Sequence, residues 1–135
     1  MTKFLYNKLV RSFIIDDIEK VGGIAHFEQL SDDEYLQELK NKLLEECKEV
    51  IEENNIEKLS EELADVIEVI FCIAEVRGIN LQELENIRIN KKKNKGSFSQ
   101  KKKVISVDIP ENNNKFSNWL AYLRANPKKY PEIVE

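Results

Sequence analysis

The stretch that decides the fold is residues 31–78, SDDEYLQELKNKLLEECKEVIEENNIEKLSEELADVIEVIFCIAEVRG. It opens on Ser31-Asp32-Asp33-Glu34, a capping-box pattern. In such a box the serine oxygen takes a backbone N–H at the third helical position, and the glutamate reaches back to the serine. Leu36, Leu39, Leu43, Leu44, Cys47, Val50 and Ile51 then recur on one side of a helix that should run to about Glu53. Asn54-Asn55 breaks it. A second helix is expected from about Ile56 to Arg77, ending at Gly78. So tight a connection turns the second helix antiparallel to the first.

Working outward, Tyr6–Val10 reads as extended, and Arg11–Val21 as a short helix stopped by Gly22-Gly23. Ile24–Leu30 reads as a link. Downstream, Asn80 can cap a third helix, Leu81–Lys93, which Gly96 interrupts. Val104–Ile109 alternates enough for a short strand or an extended arm before Pro110. Lys115–Ala125 carries Phe116, Trp119, Leu120 and Leu123 at helical spacing and is closed by Pro127. The fold class is all-α, built on an antiparallel helical hairpin.

The chain has 135 residues, one domain's worth, with 41% apolar and 34% charged residues. That composition excludes collagen-like and disulfide-stapled chains and is too apolar for disorder throughout. Cys47 and Cys72 stand far apart without a CxxC spacing, which indicates a reduced cytoplasmic setting. Neither a signal peptide nor a membrane span is expected: the longest mostly apolar run, Leu63–Ala74, is 12 residues and contains Asp65 and Glu68. The net charge of −4 conceals two blocks. Residues 28–68 carry 15 acids against 4 lysines, and residues 88–103 carry 8 basic residues and no acid.

Within the acidic block, Glu45, Glu46 and Glu49 form E-E-x-x-E, and Glu62 and Asp65 form E-x-x-D. Positions three or four apart share a helix face. Counted outward from the Asn54-Asn55 turn, the two sets lie within about 3 Å of the same level, so the acids can meet. Leu63–Ala74 is apolar nearly all round, the mark of a central, buried helix. Clustered carboxylates in such a place repel and protonate unless a cation sits between them. No Lys or Arg occurs between Ser60 and Val76, so a bound metal is the natural partner. All-oxygen ligation favours Mg²⁺ or Mn²⁺ over zinc. His26 is a lone residue in a link, and Cys47 and Cys72 fall among core positions.

A hard divalent cluster facing a basic segment suits phosphate-ester chemistry, in which metal polarises phosphoryl oxygens and lysines neutralise the rest. The candidate phosphate contacts are Lys91, Lys92, Lys93 and Lys95, with Lys8 and Arg11 near the start.

These residues also resemble a family. E-E-x-x-E, a 12-residue gap and E-x-x-D look like the signature of the all-α nucleoside triphosphate pyrophosphohydrolases, the MazG-like superfamily, which includes phosphoribosyl-ATP pyrophosphohydrolase. Tyr6-Asn7-Lys8-Leu9-Val10-Arg11 resembles the Y-N-K-L-V-R-D opening of one branch, with Ser12 in place of Asp. Lys91 and Lys95-Gly96-Ser97-Phe98 resemble K-x-x-x-R-G-x-F, with Lys95 in place of Arg. The likeness covers residues 6–107, so residues 1–107 read as the pyrophosphohydrolase domain and 108–135 as a C-terminal extension of unassigned role.

The resemblance implies a Mg²⁺-dependent enzyme that cleaves between the α- and β-phosphates of a nucleoside triphosphate, in a house-cleaning role. Glu46, Glu49, Glu62 and Asp65 would be metal ligands, and Glu45 a further ligand or the group that orients the attacking water. Lys8, Arg11, Lys91 and Lys95 would contact phosphates. It further implies a homodimer or homotetramer in which paired hairpins complete a four-helix-type bundle.

Two departures bear on substrate grip. Ser12 removes a charge beside the segment, and Lys95 keeps charge but loses the bidentate fork of Arg. Glu68 and Val69 stand where the histidine-biosynthesis branch commonly has Tyr-His, which argues against phosphoribosyl-ATP. The alternatives are that substrate, a nucleic-acid surface at Lys91–Lys103, or a non-catalytic oligomerisation module. The acidic body would repel a long polyanion, which disfavours nucleic acid.

Overall fold

The computed structural model describes residues 1–134. It contains five helices, α1 (Ser12–Lys20), α2 (Asp32–Glu52), α3 (Ile56–Val76), α4 (Leu81–Lys95) and α5 (Ser117–Ala125), with a 3₁₀ turn at Asn114–Phe116 before α5. No strand occurs among the described residues. Val104–Ile109, expected as a strand or an arm, carries no regular secondary structure and forms no ladder among the described residues. No helix is long and apolar enough to cross a membrane. The chain divides into two compact units, Met1–Lys95 and Gly96–Glu135.

The first unit is organised by the α2–α3 hairpin. Ser31 and Glu34 form the expected capping box, with the Ser31 hydroxyl accepting the Glu34 N–H at 3.3 Å and the Glu34 carboxylate accepting the Ser31 N–H at 3.4 Å. Asp32, Asp33 and Glu34 place negative charge where the helix dipole is positive. Ser31→Ala removes the cap and should cost about 1 kcal/mol of stability in urea denaturation. An unchanged midpoint would show that α2 is held by packing alone.

Only residues 53–55 separate the two helices. The Asn55 side chain accepts the N–H groups of Glu57 (3.0 Å) and Lys58 (3.2 Å), restarting the chain as α3. Leu39 and Val69, equidistant from Asn54 along the chain, are both buried, as is Ala74.

The other joints follow local rules. The Gly23 N–H bonds the Ile18 carbonyl at 3.0 Å, closing α1. A Cβ on Gly23 would stand 2.9 Å from that carbonyl oxygen, so only glycine admits this turn. Asn80 caps α4 through the N–H groups of Gln82 (2.8 Å) and Glu83 (3.2 Å).

The centre of α3 departs from expectation. Within one chain it is buried on one side only: Leu63 (46%), Ile67 (50%), Ile70 (38%) and Phe71 (42%) remain exposed. At 100° per residue these four form one stripe beside the face that meets α2. The apolar run reflects two faces, and α2 covers only one.

In the second unit, Arg124 of α5 ties neighbouring segments together, donating to Glu111 at 3.1 Å and to Glu132 at 3.2 Å. Tyr122 and Tyr130 pack with ring centroids 6.0 Å apart.

Candidate functional site

Glu46 and Glu49 sit one turn apart on α2, and Glu62 comes from α3 across the hairpin. One carboxylate oxygen from each lies within 4.8 Å of the others. Glu46 is buried, with 6% of its surface exposed; Glu62 is half-buried and Glu49 exposed. The Oε2 atoms of Glu46 and Glu62 are buried without a hydrogen-bond partner.

Electrostatics divides the acids into two zones. In the first, cations answer the charge. Lys42 Nζ stands 3.2 Å from both Glu45 Oε1 and Glu46 Oε1, and Lys8 Nζ lies 3.3 Å from Glu45. Burial pushes the Glu45 carboxyl up, but Lys42 and then Lys8 outweigh it and hold Glu45 below its ordinary value. Burial likewise pulls Lys42 down, and its bonds to Glu45 and Glu46 more than restore it. Arg11 Nη2 meets Asp65 Oδ1 at 2.7 Å.

In the second zone the charge is answered only in part. Glu46 is raised above its ordinary value, chiefly by burial; the bond from Lys42 opposes the rise and the neighbouring Glu49 adds to it. Glu49 is raised above its ordinary value, foremost by the neighbouring Glu62 carboxylate. Crowded together, these carboxylates disfavour one another's charged form.

The donor set fits a hard divalent cation. It is all oxygen, and it includes two orphaned buried oxygens. Oxygens coordinating one such ion at about 2.0–2.6 Å stand up to about 4–5 Å apart, which matches the cluster. Cys47 and Cys72 are free thiols and contribute nothing to it.

Of the residues singled out in the sequence, the structure gathers Glu46, Glu49 and Glu62 into one group. It pairs Asp65 with Arg11 and Glu45 with Lys8. Lys91 and Lys95 lie exposed on α4 and make no ion pair among the described residues. Lys42 escaped notice, although its signal was present: it precedes Glu45 and Glu46 by three and four residues, the spacing of helical ion pairs.

Comparison with known proteins adds one finding. Residues 34–96 match the model of the MazG nucleotide pyrophosphohydrolase domain, a segment that runs from the first turn of α2 to the end of α4 and contains the whole cluster. No curated protein and no solved structure matches the chain. Residues 34–96 are thus similar to the MazG nucleotide pyrophosphohydrolase domain, a likeness consistent with the MazG-like superfamily.

Proposed function

We propose that this protein is a Mg²⁺-dependent house-cleaning enzyme that hydrolyses a nucleoside triphosphate between its α- and β-phosphates, yielding the monophosphate and pyrophosphate. The observation that carries this reading is the oxygen triad of Glu46, Glu49 and Glu62, with two buried atoms lacking partners, inside the MazG segment. Glu46, Glu49, Glu62 and Asp65 would hold Mg²⁺, with Mn²⁺ as a possible substitute. When bound, the ion polarises a phosphoryl oxygen and lowers the pKa of a water.

The chain's own residues account for the rest. Glu45, kept ionised by Lys42 and Lys8, accepts a hydrogen bond from the attacking water and orients it toward the α-phosphorus. As the water oxygen bonds to that phosphorus, the bridge to the β-phosphate breaks and pyrophosphate leaves with the bridging oxygen. Lys8, Arg11, Lys91 and Lys95 neutralise the phosphates; Arg11 exchanges Asp65 for a phosphate oxygen as substrate enters. The exposed stripe Leu63, Ile67, Ile70 and Phe71 is covered by a second copy of the chain, completing a four-helix-type bundle. We place the enzyme in the cytoplasm, with the catalytic domain spanning residues 1–107.

A product screen tests this reading. Canonical and damaged nucleoside triphosphates, deoxynucleotides and phosphoribosyl-ATP are supplied with Mg²⁺. Pyrophosphate and monophosphate should appear in equal amounts from at least one nucleoside triphosphate, and chelation should stop the reaction. Release of orthophosphate, or of nothing from any substrate, would refute it.

A further inference from the structure

Beside the carboxylate triad lies a recess of about 160 Å³ lined by Asn7, Lys8, Glu38, Asn41, Lys42 and Glu45. Glu38, Asn41, Lys42 and Glu45 are spaced i, i+3, i+4, i+7, so they form one face of α2 continuous with Glu46 and Glu49. Asn7 closes the other side from a left-handed backbone conformation (φ 44), which asparagine adopts more readily than most residues.

The recess is polarised. At one end Lys8 and Lys42 are bound to Glu45, next to the triad. At the other, Glu38 makes no ion pair among the described residues. Its one side-chain bond comes from Asn41 Nδ2 at 3.4 Å, and Asn41 Oδ1 in turn accepts from Gln37 at 3.4 Å. Both bonds are long for N–H···O contacts, so a ligand can take either group at little cost. Along the helix, Asn41 and Glu38 stand about 7.5 Å and about 12 Å from Glu46. They are too far to join its cation, and near enough for the sugar and base of a nucleotide whose phosphates rest on the triad.

Charge fixes the direction. Phosphates avoid Glu38 and settle toward the lysines and the metal, which leaves the base at the Glu38 end. An ionised carboxylate only accepts hydrogen bonds. It therefore suits a base edge with an exocyclic amino group and repels an edge that presents a carbonyl there. We infer that the Asn7–Glu38–Asn41 recess is the base-reading pocket and that Glu38 selects nucleotides whose base carries an amino group. This rests on the triphosphate reading above.

The test compares pairs that differ at that group: GTP with ITP, and CTP with UTP. In the wild-type protein kcat/KM should favour the amino member of at least one pair by about tenfold or more, since a site built around one hydrogen bond rejects the analogue lacking it. Glu38→Gln should bring that ratio below about threefold, because an amide can offer a carbonyl-bearing edge its N–H. Titration calorimetry with the non-cleavable α,β-methylene analogues and Mg²⁺ should show the same collapse in the ratio of dissociation constants. A wild-type protein without preference in either pair, or a Glu38→Gln effect equal on both members, overturns the assignment. Discrimination in binding without turnover would uphold the pocket while removing the hydrolase reading. Absence of both binding and turnover removes both.

Discussion

Glu49→Gln is expected to lower Mg²⁺-dependent pyrophosphate release by at least about 100-fold, or about 2.7 kcal/mol of barrier. Stability without metal should move the other way. The pKa of Glu49 is raised in the folded protein, foremost by the Glu62 carboxylate beside it. A carboxyl raised on folding binds its proton more tightly in the native state, so stability falls as pH rises through the native pKa. Glutamine carries no charge and avoids that loss. The metal-free variant should therefore melt above the wild type at pH 8, and the gap should close at acidic pH.

Metal reverses the comparison. In the wild type the raised pKa values of Glu46 and Glu49 set protons in competition with the ion, so the gain in melting temperature from Mg²⁺ should be larger at pH 8 than at pH 5.5. In Glu49→Gln that gain should shrink at both pH values. Scanning fluorimetry with and without Mg²⁺, beside a pyrophosphate assay, reads every part of this. Wild-type turnover in the variant, or a full Mg²⁺ shift, would remove Glu49 from the metal site.

The second large effect concerns the stripe on α3. If a second copy covers Ile67, then Ile67→Glu should turn a dimer into a monomer at micromolar concentration, as read by light scattering behind gel filtration. Burying an isoleucine contributes about 1.5–3 kcal/mol, and a two-fold interface meets each substitution twice. A buried, unpaired carboxylate adds its own cost. The dissociation constant should rise by at least about 100-fold. On a face that stays in water the same change would move stability by no more than about 0.5 kcal/mol. A wild-type chain that is monomeric at high concentration would defeat the prediction at once.

How much of this was legible beforehand depended on the range of the forces involved. The limits of α2 and α3 follow from Ser31, Asn55 and Gly78, whose effects act within one turn of chain. The meeting of Glu46, Glu49 and Glu62 was equally readable, since a short connection and a fixed rise per residue place both sets at one height. The pairing of Arg11 with Asp65 was not, because 54 positions separate them and no periodicity links them. Nor was the exposure of Ile67 and Ile70: an apolar residue announces that something covers it without saying whether those atoms belong to its own chain. Val104–Ile109, which forms no strand, shows the same limit, since alternation expresses a preference and only a partner realises it.

The triad also bears on how the protein folds. All three of its carboxylates come from a single hairpin with a connection of three residues, 53–55. Closing so short a loop costs little entropy, and contacts between near neighbours form early. The like charges therefore meet while the hairpin is still zipping, before the rest of the chain has packed. Under the proposed metal-binding role, the repulsion that would receive a cation would fall within the folding barrier and slow that step.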